Sequence, residues 1–544
     1  MKAENRNVGT SKESLYSWLR LSVSSVIMMV VLAAGASAQG GQTAFVFLVG
    51  SDTLGVERFS TGSNLVTGEV LMRGQPRMTY LAMVAAPGRF GSIELAVYAN
   101  NSSPDAQPSR RVQMRLVGDT VFADITAGGT AGSATQTQKL PTKAEAFILL
   151  NSSVAMFETA LARLGAQQDS ASFPVLLSAG GQTITATFRR VTRDSIRLQL
   201  GPQESHLIVR GTQIVRARTP AQGLVVERVE GAAAARISLG KPDYSAPANA
   251  PYRAEQVTLP TSSGHTLAGT LTMPSAPGRR VPAVVTVTGS GPQDRDEYIS
   301  LVAGYRPFRQ VADTLARRGI AVLRYDDRGT GESTGDFGAA TSADFADDVR
   351  AAIAWLRARP DIDPAKIVVL GHSEGGLIAP LVAASDPRLA GIVLMAGPSK
   401  GGREIINFQI RYGVDHDSAV APAKRDSTFG ARMAAFDSAA AQQPWMKFFL
   451  AYDPMPTIRQ VKSPVLILQG ATDQQVTADQ AEALGAALRQ AGNRDVTVRV
   501  FPDRNHLFLP DPIGNPAGYT RAASGRIGPE VMGEIAEWLV AKMR

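Results

Sequence analysis

Gly371-His372-Ser373-Glu374-Gly375 sets a serine between two glycines. That spacing suits a nucleophile on a sharp strand-to-helix turn, where a side chain at either glycine would collide with a neighbouring element. The flanks fit, since Ile367-Val368-Val369-Leu370 reads as a strand and the residues after Gly376 as a helix. A serine hydroxyl attacks poorly near neutral pH unless a base removes its proton. The chain has five histidines to supply one: His206, His265, His372, His416 and His506. His206 and His265 precede the serine. His372 adjoins it on the turn and would point elsewhere. His416 falls in a helical stretch before the last strands. In sites built on such a turn the chain order is serine, acid, histidine, so His506, in the loop after a late strand, is the expected base. The acid belongs on the loop after the preceding strand, and Asp473 follows Val465-Leu466-Ile467-Leu468-Gln469-Gly470 directly. Its carboxylate would select the imidazole tautomer and stabilise the protonated ring.

A tetrahedral intermediate also needs donors for its oxyanion. One is expected from the backbone N–H of Glu374, next to the nucleophile. The other is expected from Ser290 N–H in Thr288-Gly289-Ser290-Gly291-Pro292, where glycines allow close backbone approach. This glycine-rich loop lacks the lysine of a phosphate-binding loop. No pair of histidines stands at metal-ligand spacing, and acyl transfer by these groups implies no cofactor.

These residues need a sheet to bring them together. From residue 252 onward strands and helices alternate: a hairpin at Glu255–Leu259 and Thr266–Met273, strand Ala283–Thr288, helix Arg306–Arg318, strand Ile320–Tyr325, helix Ser342–Arg359, then the serine turn and strand Gly391–Met395. Such alternation predicts a mostly parallel, doubly wound sheet. Residues 397–460 break the rhythm with Ala-rich amphipathic stretches and are expected to form a helical cap. The cap holds Phe408, Tyr412, Trp445, Phe448, Phe449 and Tyr452, which helical spacing assigns to packing rather than to a pocket. Val465–Leu468, helix Ala478–Ala491, strand Val496–Phe501 and helix Glu530–Met543 complete the unit.

Upstream, residues 39–230 read as a β-rich accessory domain of short alternating runs, among them Thr43–Val49, Thr183–Phe188 and Ser195–Leu200, with one helix-like segment at Ser153–Leu164. Asp followed by Thr or Ser opens a run at Asp52, Asp119 and Asp194, which is read as turn chemistry rather than a repeat. Residues 231–251, rich in Ala, Gly and Pro, read as a linker to the catalytic domain at 252–544.

At 544 residues the chain is long enough for two folded units. It contains no Cys, which excludes disulfides, thiolate metal sites and a Cys nucleophile. The formal charge of +8 is dispersed along the chain, so no nucleic-acid partner is expected. Residues 1–38 join a basic start to the apolar run Leu21–Gly35 and to Ala36-Ser37-Ala38, the pattern of a cleaved export signal. A periplasmic or secreted protein is therefore expected, without stable membrane insertion after cleavage. The sequence is silent on oligomeric state.

Residues from 252 to 544 resemble bacterial serine esterases of the α/β-hydrolase superfamily, related to the acylaminoacyl-peptidase and dienelactone-hydrolase branches. Four signatures carry the resemblance in order: Gly289-Ser290-Gly291-Pro292-Gln293-Asp294-Arg295-Asp296, Tyr325-Asp326-Asp327-Arg328-Gly329-Thr330-Gly331-Glu332-Ser333, the serine turn, and the Asp473/His506 pair. The resemblance implies an α/β-hydrolase fold preceded by an antiparallel β domain, and gives Arg328 a structural role between loops. The chain departs from dienelactone hydrolases, whose nucleophile is Cys, and its upstream region is too short for the β-propeller of the oligopeptidases. The expected activity is hydrolysis of small carboxylic esters with short acyl groups through an acyl-enzyme. An exo- or oligopeptidase of the same fold is the alternative, and a ligand-binding protein with a vestigial hydrolase domain is a third reading.

Overall fold

A computed structural model describes residues 43–543, apart from 51, 74, 99–104, 129–134, 151, 166, 179–180, 202, 240–241, 276–277, 301, 303, 418–419 and 442. The expected export segment, 1–38, lies outside the described residues.

Alternation along each strand builds the first sheet. Thr183–Thr192, for example, buries Ala186 and Phe188 while Thr185 and Arg189 face solvent, the period-two pattern of a sheet with one wet face. Fifteen strands join in one sheet. From Thr135–Pro141 its order runs back through the sequence to Thr43–Val49, crosses to Leu224–Glu230, and runs back again to Phe147–Leu149. Thr43–Val49 is the seam, antiparallel to Asp52–Thr61 on one side and to Leu224–Glu230 on the other. Asp119 and Asp194 stand in two-residue hairpin turns, which is the turn role read for them. The helix expected at 153–164 is shorter, Ala155–Leu161, and buries Ala155, Met156, Ala160 and Leu161. Its N-terminal amides are satisfied from across the sheet, where the buried Glu57 carboxylate accepts from Val154 N–H (2.7 Å) and Ala155 N–H (3.0 Å).

The segment 231–251 is more ordered than its composition suggests. Ala232–Arg236 forms a short helix, with Ala234 buried against Ala44 and Val56. Farther on, Tyr244 stacks under the Arg295 guanidinium, 4.2 Å from its ring centroid, and its hydroxyl donates to Asp294 at 3.2 Å. The two sheets also meet through Tyr298, whose hydroxyl donates to Asp52 at 3.2 Å.

The second sheet has eight strands in the order Tyr252–Pro260, Thr266–Pro274, Ala321–Tyr325, Val281–Val287, Ile362–His372, Gly391–Met395, Val465–Gly470, Val496–Phe501. The first three pair antiparallel and the rest parallel. This is the α/β-hydrolase fold preceded by an antiparallel β region, as the sequence led us to expect. Its central strands are apolar throughout because both faces are covered. On one face Val285, Val369, Ile392 and Ile467 pack on helices Ser342–Arg357, Glu374–Ala383 and Asp479–Gln490. On the other, Val284, Val368, Val393 and Leu466 pack on Pro307–Ala316 and Pro529–Met543. Between strands Gly391–Met395 and Val465–Gly470 the chain leaves the sheet for four helices, Gly402–Asp415, Arg425–Ala440, Pro444–Ala451 and Met455–Ile458. Among the described residues no helix is long and apolar enough to cross a membrane.

Candidate active site

Strand Ile362–His372 occupies the middle of the parallel region, and Ser373 stands at its C-terminal end, where open α/β sheets bind ligands. The turn there is tight. Ser373 has φ 53° and ψ −115°, a conformation L-residues rarely adopt, and its N–H is held by Met395 C=O at 2.8 Å. Both flanking glycines are required by close approach: a Cβ on Gly371 would lie 2.0 Å from Gly375 O, and one on Gly375 would lie 2.2 Å from Val287 O.

The three side chains picked from the sequence lie in mutual contact. Ser373 Oγ is 3.0 Å from His506 Nε2, and His506 Nδ1 is 2.7 Å from Asp473 Oδ2. Asp473 and His506 are both buried. Asp473 is held on every side: Oδ1 accepts from the N–H groups of Gln475 (2.7 Å) and Val476 (2.9 Å), and Oδ2 accepts from Gln469 Nε2 (2.8 Å). These donors fix the carboxylate's orientation and aim its remaining lone pair at the imidazole. The His506 loop has its own clamp, since Asn505 Oδ1 accepts from Leu507 N–H and Leu509 N–H, and Tyr305 donates to Leu507 C=O at 3.0 Å.

Thr288 to Gln293 forms the wall opposite His506. A Cβ on Gly289 would come within 3.3 Å of Ser373 Cβ, so this loop lies against Ser373. Gly289 N–H is already engaged by Glu297 Oε1 at 2.9 Å. Among the described residues neither Ser290 N–H nor Glu374 N–H meets a protein acceptor. Both signature loops serve to hold this wall. Asp327 accepts from Thr288 Oγ1 (2.7 Å) and Gln293 N–H (2.9 Å). The fully buried Arg295 grips Asp326 through Nε (3.0 Å) and Nη2 (2.7 Å), a bidentate geometry that fixes orientation as well as charge. Arg328 turns away from both loops to helix Ser342–Arg357, donating from Nε to Asp348 at 2.7 Å.

Ser373 and His506 open into a cavity of about 340 Å³. Its apolar side is Pro398, Ile405, Ile406, Val476, Trp445 and Phe449. Trp445 and Phe449 thus belong to the pocket as well as to cap packing, stacked at 5.6 Å, whereas Phe408, Tyr412, Phe448 and Tyr452 do not line it. Helical spacing alone could not separate the two groups, because the cavity is closed by two distant helices. Glu374 is buried beside Ser373, and its Oε1 accepts from Ser342 Oγ (2.6 Å) and Trp445 Nε1 (2.7 Å). Burial raises its pKa despite those donors. A larger surface cleft, about 1150 Å³, lies among Arg309, Arg317 and Arg526, and none of the three contacting residues lines it.

Residues that the sequence reading passed over stand close by. His372 does point away from Ser373, and its ring lies between Glu297 and the His506 backbone. The acidic partner, Glu297, directly follows the 289–296 signature, but it is 75 residues from His372 and no spacing links the two.

Comparison with known proteins places residues 306–521 in a match to the prolyl oligopeptidase family. Esterase EstD of Thermotoga maritima is 28% identical over 310 residues, spanning 55% of this chain and 70% of that enzyme. Dipeptidyl aminopeptidase BIII of Pseudoxanthomonas mexicana is 30% identical over 234 residues, which is 42% of this chain and only 30% of that enzyme. Among solved structures, an esterase of Pyrococcus furiosus aligns with 56% of this chain and 96% of its own length, at 17% identity and a TM-score of 0.40.

Proposed function

We propose that this serine hydrolase of the α/β-hydrolase fold cleaves carboxylic esters with short acyl groups, using Ser373, His506 and Asp473. The supporting observation is the unbroken line Oγ–Nε2 (3.0 Å) and Nδ1–Oδ2 (2.7 Å) on the floor of a small apolar cavity. His506, neutral with its proton on Nδ1, takes the Ser373 proton on Nε2 as Oγ bonds to the ester carbon. Asp473 balances the charge that develops on the ring. The carbonyl oxygen becomes an oxyanion, for which Glu374 N–H and Ser290 N–H are the donors. Collapse expels the alcohol, which receives the Nε2 proton, and leaves an acyl-Ser373. Water then enters, gives a proton to Nε2 and attacks the acyl carbon. The C–Oγ bond then breaks, Oγ takes the proton back from Nε2, and the carboxylic acid leaves with Ser373 restored.

The cavity size supports short acyl chains, because about 340 Å³ lies at the low end of small-molecule pockets. EstD, an esterase by name, matches along most of its own length. Amide cleavage is the second reading, favoured by the prolyl oligopeptidase match over 306–521. Turnover of matched acetyl aryl ester and aminoacyl anilide substrates separates the two. Ser373→Ala should lose turnover of the preferred one by several orders of magnitude, together with fluorophosphonate labelling. Full turnover in that variant would refute the assignment. Export belongs to the same proposal and rests on residues 1–38; the secreted or periplasmic protein should begin at Gln39 on N-terminal sequencing.

A further inference from the structure

Next to Ser373 is a second histidine–carboxylate contact that the proposed chemistry leaves unused. His372 and Glu297 are both buried. Glu297 Oε1 accepts from Gly289 N–H at 2.9 Å and stands 2.8 Å from His372 Nδ1. The other ring nitrogen, Nε2, is 3.0 Å from the carbonyl oxygen of His506. One imidazole thus bridges the oxyanion loop and the backbone of the general base, with the two histidine rings 5.1 Å apart.

Proton counting fixes the state of this bridge. A carbonyl oxygen only accepts, so Nε2 carries a hydrogen. The short Nδ1···Oε1 contact needs a second one. A carboxylic acid is ordinarily a stronger acid than an imidazolium by about two pK units, which leaves this proton on nitrogen. Among the described residues Glu297 Oε2 is buried without a partner, so a proton placed there would meet no acceptor among them. Burial opposes charge on His372, yet the Glu297 carboxylate outweighs it and holds the ring above the ordinary imidazole pKa. The Glu297 backbone is itself in the left-handed region, φ 56°, retained by its N–H to Asp294 C=O at 2.8 Å.

We propose that Glu297 and His372 form a positioning pair, a buried carboxylate and imidazolium that hold the oxyanion loop at Gly289 and the His506 backbone in one rigid frame around Ser373. This rests on the serine-hydrolase reading above. Neither side chain touches the reacting atoms; both act through the groups they hold.

Glu297→Gln tests the frame because both bonds converge on a single oxygen. With its oxygen at that position, glutamine accepts from Gly289 but requires Nδ1–H, and a neutral His372 then turns a bare Nε2 toward the His506 carbonyl. With its nitrogen there, it meets Gly289 N–H donor to donor. Only an imidazolium restores both bonds. The variant should therefore approach wild type at acidic pH relative to its own alkaline rate, and lose ground as pH rises. The titratable groups facing His372 are Glu297, His506 and Asp473, with Tyr305 against Glu297. We expect kcat on an acetyl aryl ester to fall about 10²-fold at mildly alkaline pH, the scale of a small misalignment, with KM little changed. His372→Gln should show the loss without the added pH dependence.

The full-length protein with ¹⁵N-labelled histidine gives a direct reading. Wild type should show one histidine, assigned by its absence in His372→Gln, with both ring nitrogens protonated at mildly alkaline pH. A wild-type spectrum in which no histidine has both ring nitrogens protonated at mildly alkaline pH would overturn the proposal even if neither variant folds. So would a folded Glu297→Gln enzyme with wild-type kcat and pH profile. Fluorophosphonate labelling of wild type reports separately on Ser373: failure there removes the hydrolase reading and leaves the proton count on His372 standing.

Discussion

Asp473→Asn changes one oxygen to an amide nitrogen and keeps the side chain's shape. The surroundings decide which end the nitrogen takes. At the Oδ1 position it would confront two backbone donors, Gln475 N–H and Val476 N–H, at 2.7 and 2.9 Å. It is therefore driven to the Oδ2 position, 2.7 Å from His506 Nδ1, where it meets one side-chain donor, Gln469 Nε2 at 2.8 Å, in place of two fixed backbone donors. There it donates, so Nδ1 must accept and the ring proton moves to Nε2. That nitrogen, 3.0 Å from Ser373 Oγ, can no longer take the hydroxyl proton. Loss of the working tautomer costs about 10⁴-fold in kcat in a serine triad, or about 5.4 kcal/mol of barrier. The assay is steady-state hydrolysis of an acetyl aryl ester, with the thermal midpoint as a control for folding. A folded Asp473→Asn protein with kcat within about tenfold of wild type, 1.4 kcal/mol, would refute the tautomer argument and with it the role given to Asp473.

The turn, the cavity and the first sheet give further tests. Gly371→Ala sets a Cβ 2.0 Å from Gly375 O, backbone that cannot yield, so urea denaturation should show a loss above about 4 kcal/mol or no folded protein at all. Trp445→Ala opens the apolar end of the cavity and removes a donor from Glu374, and kcat/KM for hexanoyl over acetyl esters should rise about tenfold; an unchanged ratio would take Trp445 out of the acyl pocket. Glu158 is pushed up to about 7 by burial, against the opposing pull of Arg228. Because an unfolded glutamic acid ionises near 4.5, the unfolded chain releases this proton first, and the stabilising contribution present below that pH is lost as pH rises toward about 7. Thermal midpoints of wild type relative to Glu158→Gln should accordingly decline across that window and level off above it.

Several elements were legible in the sequence because they are local. Thr43–Val49, Ser195–Leu200, Gly391–Met395 and Val496–Phe501 form as read, with the same bounds. Strand Ile362–His372 begins five residues earlier than the apolar run Ile367–Leu370, since its Asp363 to Lys366 stretch carries no β pattern. Strands such as Thr135–Pro141, nearly all exposed, lack a buried face to mark them and are held by pairing with Thr120–Ala127, with Leu140 packing on the core.

Sequence by itself determined the serine turn and its two candidate partners, because glycine spacing is dictated by local sterics and histidine is scarce enough for elimination. It determined the parallel sheet as well, through apolar runs that must be buried on both faces. Only tertiary structure decided that Trp445 and Phe449, but not their aromatic neighbours, wall the cavity, and that Glu297 meets both Gly289 and His372. The physical reason is the same in each case. Periodicity reports which face of an element is buried, whereas hydrogen-bond partners and cavity walls depend on distances between segments far apart in the chain, which exist only once the sheet has assembled.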